Sequence, residues 1–96
     1  MKRDAMVIAA GDNVATALRS LESGEEAAVG TGSDIVMLTL AEPVEYGHKF
    51  AIRPIERGDD IIKYGEIIGR ATADIGVGAH VHVQNIESLR GRGDLE

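Results

Sequence analysis

Apolar positions along this chain come in short runs, broken at close intervals by Gly, Asp, Pro and Glu. Val7 to Ala10, Ala27 to Val29, Ile35 to Leu40, Phe50 to Ile52, Ile61-Ile62, Ile67-Ile68 and Ala79 to Gln84 are too brief for helices and rich in β-branched residues, so each predicts a strand. Between Asp12 and Leu21 the pattern changes. Val14, Ala17, Leu18 and Leu21 recur at helical spacing behind an Asp suited to an N-cap, which predicts one short helix closed by Gly24. The chain thus reads as all-β, mainly strand with one short helix, in a single domain over residues 1–96 whose folded core runs from about 5 to 88.

An internal pattern runs through the turns: an aliphatic residue, two variable positions, a glycine, and usually an acid. It occurs as Leu21-Glu22-Ser23-Gly24-Glu25, Ile55-Glu56-Arg57-Gly58-Asp59 and Ile75-Gly76-Val77-Gly78-Ala79. Each copy makes sense as a turn with its aliphatic residue in the core and its glycine at positive φ. The ends differ in kind. Met1 to Asp4 is charged and expected to fray, and the tail from Leu89 to Glu96, with Arg90-Gly91-Arg92-Gly93-Asp94, is too polar to pack by itself and is expected to order on a partner.

With 96 residues there is room for one core, hiding roughly two-thirds of the unfolded surface. That core must be aliphatic, since Phe50, Tyr46 and Tyr64 are the whole aromatic content. No cysteine is present, which excludes disulfides and thiolate metal ligands. A net charge of −6, with the basic residues scattered, argues against nucleic acid as a partner. No apolar stretch is long enough to cross a membrane and no signal-peptide core is present, so no membrane association and a cytoplasmic location are expected. A complete small-molecule pocket would compete with so small a core for its side chains.

The three histidines lie in two places. His80 and His82 alternate with Val81 and Val83, so a strand would carry both imidazoles on one face, with Gln84 extending it. Such a pair suits a divalent metal if His48 arrives as third ligand, or proton transfer near neutral pH, and it is also an ordinary polar face of an exposed strand. The second place is Gly47-His48-Lys49-Phe50-Ala51, where Lys49 suits a carboxylate anchor or a solvated surface position. Neighbours on a strand face opposite ways, so His48 and Lys49 share one site only if the backbone is irregular there. Lys63-Tyr64-Gly65-Glu66 reads as a hairpin turn, which explains it without function, and Arg70 suits an anion contact.

These segments, taken in order, carry a resemblance. Gly47-His48-Lys49-Phe50-Ala51, then Ile61 to Thr72 (Ile-Ile-Lys-Tyr-Gly-Glu-Ile-Ile-Gly-Arg-Ala-Thr), then His80-Val81-His82-Val83-Gln84-Asn85 resemble the N-terminal region of altronate and galactarate dehydratases, and also the small subunits of sulfolactate sulfo-lyase. The likeness runs from about Gly11 to Asp94. It implies an SAF domain of β-clip fold, and a sugar-acid dehydratase subunit that turns a hexonate or hexarate such as altronate or galactarate into a 2-keto-3-deoxy acid only together with a large catalytic subunit. It implies catalytic roles for His48, His80 and His82, substrate binding by Lys49, and a divalent metal, iron or manganese, held mainly by the large subunit. The family often has a third histidine where Gln84 stands, and glutamine is the poorer metal ligand. The tail resembles the end of the split form, which implies a stand-alone small subunit. A sulfolactate sulfo-lyase subunit and a non-catalytic SAF binding or interaction module are the alternatives, and an isolated copy is expected to self-associate through its docking surface.

Overall fold

The computed structural model describes residues 2–88; Met1 and the polar tail from Leu89 to Glu96, with its Arg-Gly-Arg-Gly-Asp run, lie outside them. The strands are β1 (Ala5–Val7), β2 (Val14–Ala17), β3 (Glu26–Thr31), β4 (Asp34–Thr39), β5 (Lys49–Ala51), β6 (Asp60–Lys63), β7 (Glu66–Ala71), β8 (His80–Val81) and β9 (Ile86–Ser88). One sheet has the order β4-β3-β1-β2-β5-β8 and a second the order β6-β7-β9. Neighbours are antiparallel except β1 and β3, which run parallel.

Among the described residues there is no helix, so the helix expected over Asp12 to Leu21 is corrected: its centre is β2. The reason lies in how β2 is buried. Val14 packs into one apolar cluster with Ala51, Ile55, Ile61, Ala71, Ile75 and Val81, while Ala15 and Ala17 pack into another around Phe50, Leu21, Leu40 and Val44. β5 repeats the division, with Phe50 in one cluster and Ala51 in the other, and the register pairs Val14 with Ala51 and Ala15 with Phe50. These two strands form the wall between two cores. Because both faces of the wall are apolar, period-two alternation vanishes and a spurious helical spacing remains. Leu18, which that helix would have buried, is 44% exposed.

The repeated turn organises both halves. In each copy a carbonyl accepts the N–H three residues on: Glu22 from Glu25 at 3.1 Å, Glu56 from Asp59 at 2.9 Å, Gly76 from Ala79 at 3.1 Å. A fourth copy, Val44-Glu45-Tyr46-Gly47-His48, closes from Glu45 to His48 at 2.9 Å. Gly24, Gly47, Gly58 and Gly78 hold φ of 84°, 84°, 94° and 84°, the left-handed conformation that this position of a type II turn requires. The aliphatic residues meet in pairs, Leu21 with Val44 and Ile55 with Ile75, each exchanging two backbone hydrogen bonds. The acid after the glycine has a local purpose: Glu25 accepts the N–H of Glu22, and Asp59 that of Glu56, both at 2.9 Å.

The N-terminal strand is anchored rather than frayed at Asp4. Its carboxylate accepts the Ala28 N–H at 2.8 Å and pairs with Arg19 at 3.0 Å. That correction applies to the described part of the Met1 to Asp4 segment only.

Candidate imidazole site and adjoining cavity

His48 ends the fourth turn, in the position that two other copies give to a capping acid, and His80 opens β8. Antiparallel pairing of β5 with β8 sets Phe50 opposite His80 and Lys49 opposite Val81, which draws the two histidine segments together. β8 ends at Val81, so the expected strand to Gln84 is corrected. His82 enters a tight turn whose carbonyl accepts the N–H groups of Asn85 and Ile86, while Asn85 Oδ1 accepts the His82 N–H at 3.0 Å. Asn85 also donates to the His80 carbonyl at 2.8 Å. The turn throws Val83 out to 79% exposure but leaves His82 against its two partners.

All three rings form one half-buried cluster. Centroids of His48 and His80 lie 5.2 Å apart and stacked, His48 and His82 4.8 Å apart, His80 and His82 5.4 Å apart. One nitrogen from each falls within 4.8 Å of the others.

Hydrogen bonds set the direction of the protons. Gln84 Nε2 lies 3.3 Å from the His80 carbonyl, which can only accept, so that atom is the amide donor, and it reaches His80 Nδ1 at 3.2 Å. His80 Nδ1 is therefore an acceptor, and its proton sits on Nε2, donated to His48 Nδ1 at 3.0 Å. His48 then carries its own proton on Nε2, 3.8 Å from Glu45 Oε1. Burial, followed by the nearby His48 and His82, lowers the pKa of His80, which favours the neutral imidazole. Its backbone N–H is tied to Glu42 at 2.9 Å.

His82 faces a second feature, a cavity of about 420 Å³ that Lys49, Lys63, Tyr64 and Glu66 also line. Lys49 is half-buried rather than fully solvated; burial, then the charge of Lys63, lowers its pKa. Lys49 thus joins the cavity while His48 joins the imidazoles, and His82 belongs to both. Arg70 lies exposed on β7, in register between Asp60 and Glu87, and is not among the cavity residues.

Lys63 and Tyr64, which the sequence explained as a hairpin alone, are functional candidates missed. The hairpin is real: Lys63 pairs with Glu66 across a two-residue turn whose Tyr64 and Gly65 have φ of 57° and 77°, the signs of a type I′ turn. Tyr64 is the single non-glycine residue at positive φ among those described, a conformation costing about 1–2 kcal/mol. Asp12 holds it there. Its carboxylate, 1% exposed, accepts the N–H of Tyr64 at 3.0 Å, of Gly65 at 2.8 Å and of Ala9 at 3.1 Å. Burial raises the Asp12 pKa, but the N–H groups of Gly65, Ala9 and Tyr64 outweigh it and the net shift is downward. The residue read as a helix cap is instead a strut between the β1–β2 loop and the tip of the cavity hairpin.

Fold and site together define a small all-β module that displays a polar cluster on its surface beside an open cavity. The family model described as "Altronate/galactarate dehydratase SAF domain" matches residues 3–89, and the chain belongs to that family. It is 49% identical over 74 residues to an altronate dehydratase of Escherichia coli (strain K12), covering 77% of this chain and 14% of that protein. To an altronate dehydratase of Bacillus subtilis (strain 168) it is 40% identical over 78 residues, 80% of this chain and 15% of the relative. To the (2R)-sulfolactate sulfo-lyase subunit alpha of Paracoccus pantotrophus it is 42% identical over 53 residues, 55% of this chain and 79% of that subunit. The chain therefore spans about one-seventh of the dehydratases and most of the sulfo-lyase subunit. Among the described residues no helix is long and apolar enough to cross a membrane.

Proposed function

We propose that this domain is the SAF part of a sugar-acid dehydratase, acting as a small subunit with a large catalytic subunit on a hexonate or hexarate such as altronate or galactarate. The observation that carries the reading is the convergence of His48, His80 and His82 from two segments on one half-buried cluster. Dehydration removes a proton beside the carboxylate, expels the β-hydroxyl and yields a 2-keto-3-deoxy acid, so it needs groups that hold and deliver protons and a cation at the carboxylate. The imidazoles supply the first, with a proton of His82 or of the His80–His48 pair directed to the leaving hydroxyl; Lys49 supplies the second. Exposed Tyr46, Val77 and Val83 stand within three residues of the histidines in sequence, at 71%, 42% and 79% exposure, and are apolar positions that a large subunit would cover.

The cluster also fits a divalent ion. Its donors are half-buried imidazoles, the lowered pKa of His80 favours its neutral form, and one nitrogen from each ring lies within 4.8 Å of the other two. Iron or manganese at His48, His80 and His82 would take the place of the His80–His48 hydrogen bond and of the proton role, and would supply Lewis-acid stabilisation of the developing enediolate instead.

Co-expression with a large dehydratase subunit, size-exclusion chromatography and an assay for 2-keto-3-deoxy acid from altronate or galactarate test the proposal. Co-elution with activity that neither chain has alone supports it; failure to associate removes it. The sulfo-lyase reading is favoured by one observation, the 79% coverage of the sulfolactate subunit. Release of sulfite from sulfolactate by the same complex would select it.

A further inference from the structure

The tip of the β6–β7 hairpin departs from local preference. A two-residue turn with positive φ at both positions favours Asn before Gly, yet here Tyr64 precedes Gly65. Two hydrogen bonds, from the Tyr64 and Gly65 N–H groups to the buried Asp12 carboxylate, keep that tyrosine in place, and a third from Ala9 ties the carboxylate to its own loop; backbone held against preference by its surroundings is a mark of a functional side chain. What the tip carries is specific. Lys63 and Tyr64 both line the cavity, with the Lys63 Nζ 4.9 Å from the Tyr64 ring centroid. Lys49 enters the same cavity from β5, close enough for the two ammonium groups to disfavour each other, and neither makes an ion pair among the described residues. Glu66 is the carboxylate on the same lining. In a chain of net charge −6, two lysines from different sheets line one cavity together with His82.

We propose that Lys49, Lys63 and Tyr64 form an anion subsite, positioned by Asp12, that takes the carboxylate of a hydroxylated acid next to His82. This deepens the lyase reading and rests on it for the identity of the acid. Lys49 and Lys63 neutralise the carboxylate through charge-assisted hydrogen bonds, and its arrival relieves their mutual repulsion. The Tyr64 ring walls the cavity and holds Lys63 over its face. The volume suits a small acid, and the hydroxylated chain would extend from the lysines toward the imidazoles.

The test measures binding, not turnover. The ¹⁵N-labelled 96-residue chain, free of metal, is titrated with galactarate and in parallel with the uncharged polyol galactitol, following the amides of Lys49, Lys63, Tyr64 and Gly65. Galactarate is expected to shift these amides with a Kd on the order of millimolar, and galactitol to leave them unmoved. K49M and K63M should each weaken binding about 5-fold or more, while Arg57→Met, which removes an exposed cation outside the cavity, keeps it. Tyr64→Asn should melt no lower than the parent, because Asn suits the turn, and still bind galactarate less well. Absence of galactarate shifts, equal response to galactitol, or wild-type affinity in K49M and K63M would overturn the subsite; a Tyr64→Asn variant that binds normally removes the tyrosine from it. Because this test reads binding by the domain and the lyase test reads turnover by the complex, loss of the lyase reading leaves a positive binding result standing, and a negative one removes the carboxylate role of Lys49 while leaving the imidazole roles to the turnover assay.

Discussion

Replacing Asp12 by Asn changes almost no volume and removes one charge, and the structure allows the cost to be worked out. The carboxylate accepts three N–H donors on two oxygens, Ala9 and Tyr64 on Oδ2 and Gly65 on Oδ1, with 1% of the residue exposed. Asn can turn its oxygen to one pair only, so its NH₂ must face a buried N–H. Hydrogen bonds to a charged acceptor contribute about 1.5–3 kcal/mol each, and one is lost outright while the others weaken. The expected destabilisation at neutral pH is about 3 kcal/mol, or a fall in Tm of about 12–24 °C for a domain of this size. Acid supplies an internal control. The folded-state pKa of Asp12 lies below its unfolded value, because the N–H groups on its carboxylate outweigh burial, so its contribution is full above the unfolded-state pKa and is lost as pH falls through the lowered folded value. Urea unfolding of both proteins between about pH 7 and pH 2.5 should therefore show the difference shrinking on acidification. A difference under about 0.5 kcal/mol at pH 7, or one that stays constant into acid, would refute the strut.

Other consequences are quicker to check. Of the four turn glycines, Gly78 alone has no space: an added Cβ would lie 2.3 Å from the Thr39 carbonyl oxygen and 2.9 Å from Ala41 N, whereas at Gly24 it meets nothing within 4 Å. Gly78→Ala should thus cost well over 3 kcal/mol and Gly24→Ala only about 1–2 kcal/mol, measured by urea unfolding; equal costs would contradict the packing of the turn before β8 against the end of β4. Imidazole ¹⁵N shifts should show His80 protonated on Nε2, and Gln84→Leu should allow the Nδ1 tautomer; a Nδ1–H signal in the parent chain would reverse the proton order drawn from Gln84.

Much of this architecture was legible. Short β-branched runs placed β3, β4, β5, β6 and β7, and the spacing of aliphatic residue and glycine located three of the four turns. The fourth, Val44 to His48, keeps the same aliphatic-to-glycine spacing and was passed over because its segment was read for its histidine and lysine. β2 was misread because an inner wall buried on both faces carries no alternation. The convergence of His48 on His80 and His82 rests on β5–β8 pairing across the interval between them, which local pattern does not encode. Lys63 and Tyr64 escaped notice because turn chemistry already explained them. Their shared signal was Tyr before Gly, a poor choice for a turn that prefers Asn.

The central claim is that this domain lends imidazoles to a lyase site completed by a partner. It is tested most directly by His80→Ala and His82→Ala in the complex reconstituted with a large dehydratase subunit, assaying 2-keto-3-deoxy acid formation after gel filtration has shown the complex intact. Loss of kcat by about 10²-fold or more with assembly unchanged is the result the account predicts; retention of full activity in both variants would contradict it and leave the domain a docking module.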